Sequence, residues 1–126
     1  MTITIRLAGG VIAGLVIWIA GVTLLNLGLR HGLPGYAGVE KAMTFTLPML
    51  IARLAISAVS SLASGYGAAR LGHGRRAATI TGVILLLVFL PVHYMLFDRF
   101  PLWYHLVFLV SLPVLSIAGG ALKRVA

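Results

Sequence analysis

The sequence contains no cysteine and only two acidic residues, Glu40 and Asp98. The lack of cysteine excludes disulfide bonds, thiol nucleophiles, thiolate metal sites and iron–sulfur clusters. With so few carboxylates, acid–base chemistry is limited to one acid beside a histidine, such as Asp98 with His93 or His105. No nucleotide-binding glycine loop is recognisable, since no predicted strand precedes the glycines. We therefore do not expect an enzyme.

Apolar side chains are in large excess. They make up 60% of the 126 residues, and the mean hydropathy is +1.07. A soluble domain of this length would have too little interior to bury them, so the composition predicts a protein of the lipid bilayer. The formal net charge of +8 would otherwise indicate nucleic acid, but so apolar a chain cannot present a solvated basic surface. We expect no nucleic-acid partner.

Hydrophobic runs of about 20 residues, the length that a helix needs to cross ~30 Å of hydrocarbon, occur four times. They extend over about Leu7–Leu29, Met43–Ala69, Ala77–Phe97 and Leu102–Leu122. Ile80 to Leu90 is apolar at odd and even positions alike, which disfavours the alternating pattern of a β-barrel. The predicted fold is all-α, a single integral membrane domain of four transmembrane helices arranged as helical hairpins.

Basic residues are distributed unequally between the two sides of the predicted bundle. One side has Arg6, Arg70, Arg75, Arg76, Lys123 and Arg124, and the other has Arg30, Lys41 and Arg99 with both acids. Because basic loops stay in the cytoplasm, we expect both termini there and the protein in the cell inner membrane. Tyr36, Trp103 and Tyr104 are predicted to form an outer aromatic belt, with Tyr66 near the inner one.

Small residues recur at helical spacing in the first two spans. Gly14, Gly21 and Gly28 are seven residues apart, and Gly10 with Gly14 forms a GxxxG pair. In the second span, Ser57, Ser61 and Ser64 lie near one face. We expect these faces to pack helices closely, within one chain or in a homo-oligomer. The alternative for the serines is a polar path for a solute.

Arg53 is the one basic residue in the middle of a predicted span. A charge there costs at least ~2.5 kcal/mol on insertion scales, so Arg53 should face the bundle and have a partner. That partner could be Asp98 or Glu40, Asn26, backbone carbonyls near Pro48, or an external anion held by the guanidinium fork.

Further polar side chains gather in the predicted outer half of the bundle. Asn26, His93, His105 and Asp98 lie there, which predicts an outward-facing cavity. Prolines inside the spans could unwind the helices locally, at Pro48, Pro91 and Pro113. Because no histidines have i, i+3 or i, i+4 spacing, we expect no metal, and haem or other cofactors are not expected either.

Three functions are compatible with these features. The first is a non-enzymatic oligomeric or accessory membrane subunit, packed through the glycine and serine faces within a homo-oligomer or larger complex. The second is a small transporter or flippase-like carrier that binds an anionic solute or lipid headgroup through Arg53. The third is a membrane enzyme or redox subunit that uses the outer histidines and Asp98.

Overall fold

The computed structural model describes residues 2–33, 35–40, 45–72 and 74–122, which form helices joined by short connections and contain no strand. The helices are α1 (Thr2–Gly32), α2 (Tyr36–Glu40), α3 (Leu47–Leu71), α4 (Arg75–Met95) and α5 (Leu102–Leu122). In the described ranges four of them, all but α2, are long and apolar enough to cross a membrane. The predicted all-helical fold with four apolar spans is therefore confirmed.

The observed helix ends differ from the predicted spans by a few residues. The first helix is longer than predicted at both ends, and α4 begins and ends two residues early. The predicted start of the second span, Met43, lies outside the described residues, and α3 begins at Leu47. Pro48 is in the first turn of α3, where its missing N–H is not needed. Both α4 and α5 continue through Pro91 and Pro113, so the predicted unwinding is not observed.

Glycines of α1 bring this helix against α3. A Cβ on Gly10 would collide with the backbone of Gly72, and one on Gly14 would lie 2.9 Å from Ala68 Cβ. The Ser64 hydroxyl donates a 2.6 Å hydrogen bond to the Gly14 carbonyl across the same contact. Backbone approach and an interhelical hydrogen bond thus join α1 to α3, as is common in membrane bundles.

The crossing of α3 and α5 is closer still. A Cβ on Gly65 would overlap the Ser116 carbonyl, and one on Gly119 would overlap the Leu62 carbonyl. Ser116 also joins α5 to α4, since its hydroxyl donates a 2.8 Å hydrogen bond to the Ala78 carbonyl. The third helix is therefore the centre of the bundle, with α1 and α5 on its glycine faces.

Candidate ligand-binding site

Arg53 lies on α3, partly buried, and two tyrosine hydroxyls accept hydrogen bonds from its guanidinium. Nη1 donates to the Tyr36 hydroxyl at 2.8 Å, and Nε donates to the Tyr104 hydroxyl at 3.2 Å. The guanidinium carbon also lies 4.5 Å from the centre of the Phe45 ring, a cation–π contact. Three aromatic side chains, from three different segments, therefore surround this one cation.

Tyr36 is carried by the short helix α2. This helix lies in the connection between the first two predicted spans, where the sequence predicted no helix. The Tyr36 ring is fully buried and stacks on Phe45 at a centroid distance of 5.4 Å. Its hydroxyl accepts from Arg53 and donates a 2.7 Å hydrogen bond to Asn26 Oδ1 on α1. Arg53 and Asn26, both predicted site residues, are thus linked through Tyr36.

The predicted outer aromatic belt is partly wrong. Trp103 is exposed as predicted, but Tyr36 and Tyr104 are buried, with 0% and 2% of their surfaces accessible. Both rings turn inward because each hydroxyl has a polar partner inside the bundle, Arg53. Two tyrosines predicted to face the lipid surface therefore belong to the site.

No carboxylate among the described side chains pairs with Arg53. Asp98 is exposed in the turn after α4, and the side chain of Glu40 lies outside what the structure describes. Among the described side chains, the hydrogen-bond partners of Arg53 are thus neutral hydroxyls. These bonds satisfy donors of the guanidinium and leave its positive charge without a described counter-charge.

A cavity of about 130 Å³ lies beside Arg53, between all four long helices. Aromatic rings form much of its wall: Trp18, Phe89, Tyr104 and Phe108. The polar groups in the lining include Arg53, Asn26 and Ser57. Ser57 is 2% exposed, and its hydroxyl has no hydrogen-bond partner among the described residues. The cavity lining therefore includes a cation and, four residues later on the same face of α3, a serine whose buried hydroxyl has no described partner.

The two predicted outer histidines contact each other. His93 Nδ1 and His105 Nδ1 lie 2.7 Å apart, and His105 Nε2 lies 3.2 Å from the Phe97 carbonyl. Because a carbonyl only accepts, a His105 ring with a single N–H would carry it on Nε2, and its Nδ1 would then accept the hydrogen bond from His93. His93 packs on the ring of Phe108, with centroids 4.6 Å apart. The pair thus lies behind the cavity wall, whereas the sequence predicted it in the lining.

Most residues predicted to pack helices together contact another helix of the same chain, but Gly28 does not. A Cβ on Gly21 would lie 2.8 Å from Ser60 Oγ, which places Gly21 with Gly10 and Gly14 on the α3 side of α1. Nothing lies within 4 Å of a Cβ built on Gly28. On α3, Ser61 accepts a 3.1 Å hydrogen bond from the Trp18 indole. The small-residue faces of α1 and α3 are therefore largely covered by helices of the same chain.

Sequence reasoning missed the aromatic members of the site. Tyr104, Phe108 and Leu112 recur every four residues and are buried, so α5 carried a periodic signal for its inner face. Phe45 and Tyr36 precede α3 in a connection and have no such period. Among the described residues no group of three or more His, Asp or Glu side chains is placed to hold a metal.

A comparison of the chain with protein-family models, curated proteins and solved structures gives no match. The function must therefore be argued from the site.

Proposed function

We propose that this chain is a small multi-pass membrane protein that binds an anionic group in its bundle cavity, as a carrier of an anionic solute or lipid headgroup does. The observation that carries the proposal is Arg53, a cation in the cavity whose described partners are all uncharged. A charge in a membrane bundle marks a functional site more often than a structural one, because a neutral residue would avoid its insertion cost.

The alternatives have less support from the described contacts. An oligomeric or accessory subunit was predicted from the glycine and serine faces, but Gly10, Gly14 and Ser64 pack inside one chain. A redox or enzymatic role was predicted from His93, His105 and Asp98. The two histidines bond each other, and Asp98 is exposed. Neither alternative explains why the charged Arg53 lies inside the bundle, whereas anion binding does.

Fluorescence of Trp18 can test the proposal directly, because its ring lines the cavity. The chain has two tryptophans, so Trp103→Phe leaves Trp18 as the only reporter. In this background, we expect one or more of sodium butyrate, butylphosphonate and butyl sulfate to change the emission saturably, and butylammonium chloride to leave it unchanged. Adding Arg53→Gln should weaken that binding at least tenfold, since the bond to a charged partner is lost.

Arg70→Gln is the matched control, because Arg70 also donates to a tyrosine hydroxyl, that of Tyr66, but on the exposed end of α3. It should leave anion binding unchanged. If Arg53→Gln folds poorly, Arg53→Lys keeps the charge and should retain part of the affinity. Equal binding by wild type and a folded Arg53→Gln would overturn the proposal, as would an absence of saturable binding by every anion tested.

A further inference from the structure

The size of the cavity limits what can enter it. At about 130 Å³ it resembles in volume an apolar cavity of ~150 Å³ that binds benzene. Its capacity is therefore about six non-hydrogen atoms. A phosphate group alone would fill most of this space. It would leave almost no room for a hydrocarbon part that could contact the apolar walls. A carboxylate occupies three atoms and leaves about as many for a hydrocarbon segment.

The charge of the cavity lining favours a ligand with a single negative charge. Among the described residues that line the cavity, Arg53 is the one charged side chain. A monoanion neutralises it, whereas a dianion would bring an uncompensated charge among aromatic rings, which is costly in a low-dielectric site. A cation would be repelled, and a neutral group would leave Arg53 unneutralised.

Two further hydroxyls can donate to the same ligand. Ser57 lines the cavity one turn after Arg53 on the same face of α3, and because its buried hydroxyl has no described partner, rotation about χ1 can turn it toward a ligand. The Tyr104 hydroxyl accepts from Arg53, and its own hydrogen takes no part in the hydrogen bonds found among the described residues. Arg53 has five N–H groups and uses two of them on tyrosines.

Much of the remaining lining is apolar. Trp18 and Phe89 face each other at a centroid distance of 4.9 Å, and Phe89 also meets Phe108 at 5.4 Å. These rings cannot bond a charged oxygen but pack well on methylene groups. The lining thus offers hydrogen-bond donors to a charged group and aromatic rings to a hydrocarbon segment of one small ligand.

We propose that the cavity binds a singly charged carboxylate carried on an apolar group, with Arg53 and the Ser57 hydroxyl donating to the carboxylate and the aromatic rings contacting the hydrocarbon. This inference rests on the proposed anion binding and narrows it to one chemical class. The carboxylate could belong to a short water-soluble acid, or to a fatty acid of which only the first few carbons enter the cavity while the rest of the chain lies in the bilayer.

The experiment uses bromine as a contact quencher of Trp18 in the Trp103→Phe protein, reconstituted in lipid nanodiscs. The probes are 2-bromobutyrate, 2-bromodecanoate, their methyl esters and 3-bromopropylphosphonate at pH 8.5, where the phosphonate is a dianion. We expect saturable quenching by the carboxylates and at least tenfold weaker quenching by the esters and the phosphonate. Tighter binding of bromodecanoate than of bromobutyrate would indicate a membrane fatty acid, and the reverse order a soluble acid.

Ser57→Ala should weaken carboxylate binding about tenfold, the loss of one hydrogen bond to a charged group. Ser60→Ala is a closely matched control, because Ser60 is also buried on α3 with an unsatisfied hydroxyl but does not line the cavity. It should leave affinity unchanged.

Two results would overturn the carboxylate assignment and leave anion binding intact. One is phosphonate binding as tight as that of bromobutyrate and lost in Arg53→Gln. The other is an equal effect of Ser57→Ala and Ser60→Ala on carboxylate affinity. Ester binding equal to that of the carboxylates, unchanged by Arg53→Gln, would overturn both proposals.

Discussion

At the scale of single residues, the charge of Arg53 is held by tyrosine hydroxyls. Tyr36 has a double role, because its hydroxyl accepts from Arg53 and donates to Asn26. An oxygen with both bonds is fixed in place, and it fixes the guanidinium beside the cavity. A neutral hydroxyl orients the guanidinium and leaves its positive charge available to an anion. A carboxylate partner would neutralise that charge.

Tyr36→Phe removes both bonds and leaves a partly buried charge short of an acceptor. We expect a loss of about 2–3 kcal/mol in the free energy of unfolding, the range for hydrogen bonds to charged groups. Tyr66→Phe breaks a bond of the same chemistry to Arg70 at an exposed site and should cost less than about 1 kcal/mol. SDS titration in mixed micelles, followed by circular dichroism, measures both. Similar losses in the two variants would argue against a special role for Tyr36.

At the scale of helices, α3 contacts α1 and α5 through residues with little or no side chain. The closest of these approaches is at Gly65, where the Ser116 carbonyl occupies the space of a Cβ. Backbone atoms cannot rotate away as a flexible side chain can. The α3–α5 crossing therefore depends on glycine at this position.

Gly65→Ala should destabilise the bundle by about 1–3 kcal/mol, the usual cost of overpacking a rigid contact. Gly28→Ala is the control, since a Cβ there meets nothing within 4 Å and alanine is the better helix former. It should be neutral or slightly stabilising in the same SDS titration. A loss at position 28 as large as that at position 65 would show that glycine is needed on α1 for a contact outside the single chain.

Hydropathy alone was enough to locate the four long helices. A helix that crosses a bilayer needs a hydrophobic run of about 20 residues, which few soluble proteins contain. It did not predict α2, which has five residues and lies in a loop rich in glycine and proline. The spacing rule that was applied to the histidines compares residues on one helix. His93 and His105 come from α4 and α5, and only the packing of those helices brings them together.

The side-chain partners of Arg53 could not be predicted for a similar reason. A tyrosine has a polar tip on an apolar ring, so the same residue suits a membrane interface and a polar interior. Which of the two applies depends on how each helix is rotated about its axis. The sequence located Arg53 and Asn26 as members of a site, but not Tyr36, which joins them.

At the scale of the whole molecule, the two ends of the bundle differ in charge and chemistry. The contact of Gly10 with Gly72 places the beginning of α1 beside the α3–α4 turn. Arg6, Arg70 and Arg75 are therefore at one end, whereas Tyr36 and Asp98 are at the other. The basic end is the one predicted to face the cytoplasm.

Single cysteines can test this orientation, because the natural chain has none. Leu71→Cys lies at the basic end and Asp98→Cys at the opposite end, and both positions are exposed. In intact cells, a membrane-impermeant maleimide should label Asp98→Cys, and label Leu71→Cys only after permeabilisation. The reverse pattern would place both termini outside and the Arg53 site toward the cytoplasm.

The two hydrogen bonds from Arg53 to tyrosine hydroxyls become possible at different times during synthesis of the chain. Tyr36 precedes Arg53 by 17 residues, whereas Tyr104 follows it by 51. When the ribosome has completed α3, the arginine can already meet Tyr36 and Asn26 within the first hairpin. The Tyr104 hydroxyl becomes available only after α4 and the first turn of α5 have been made. The loop helix α2 thus offers Arg53 a hydrogen-bond acceptor at a stage when α4 and α5 are still unsynthesised.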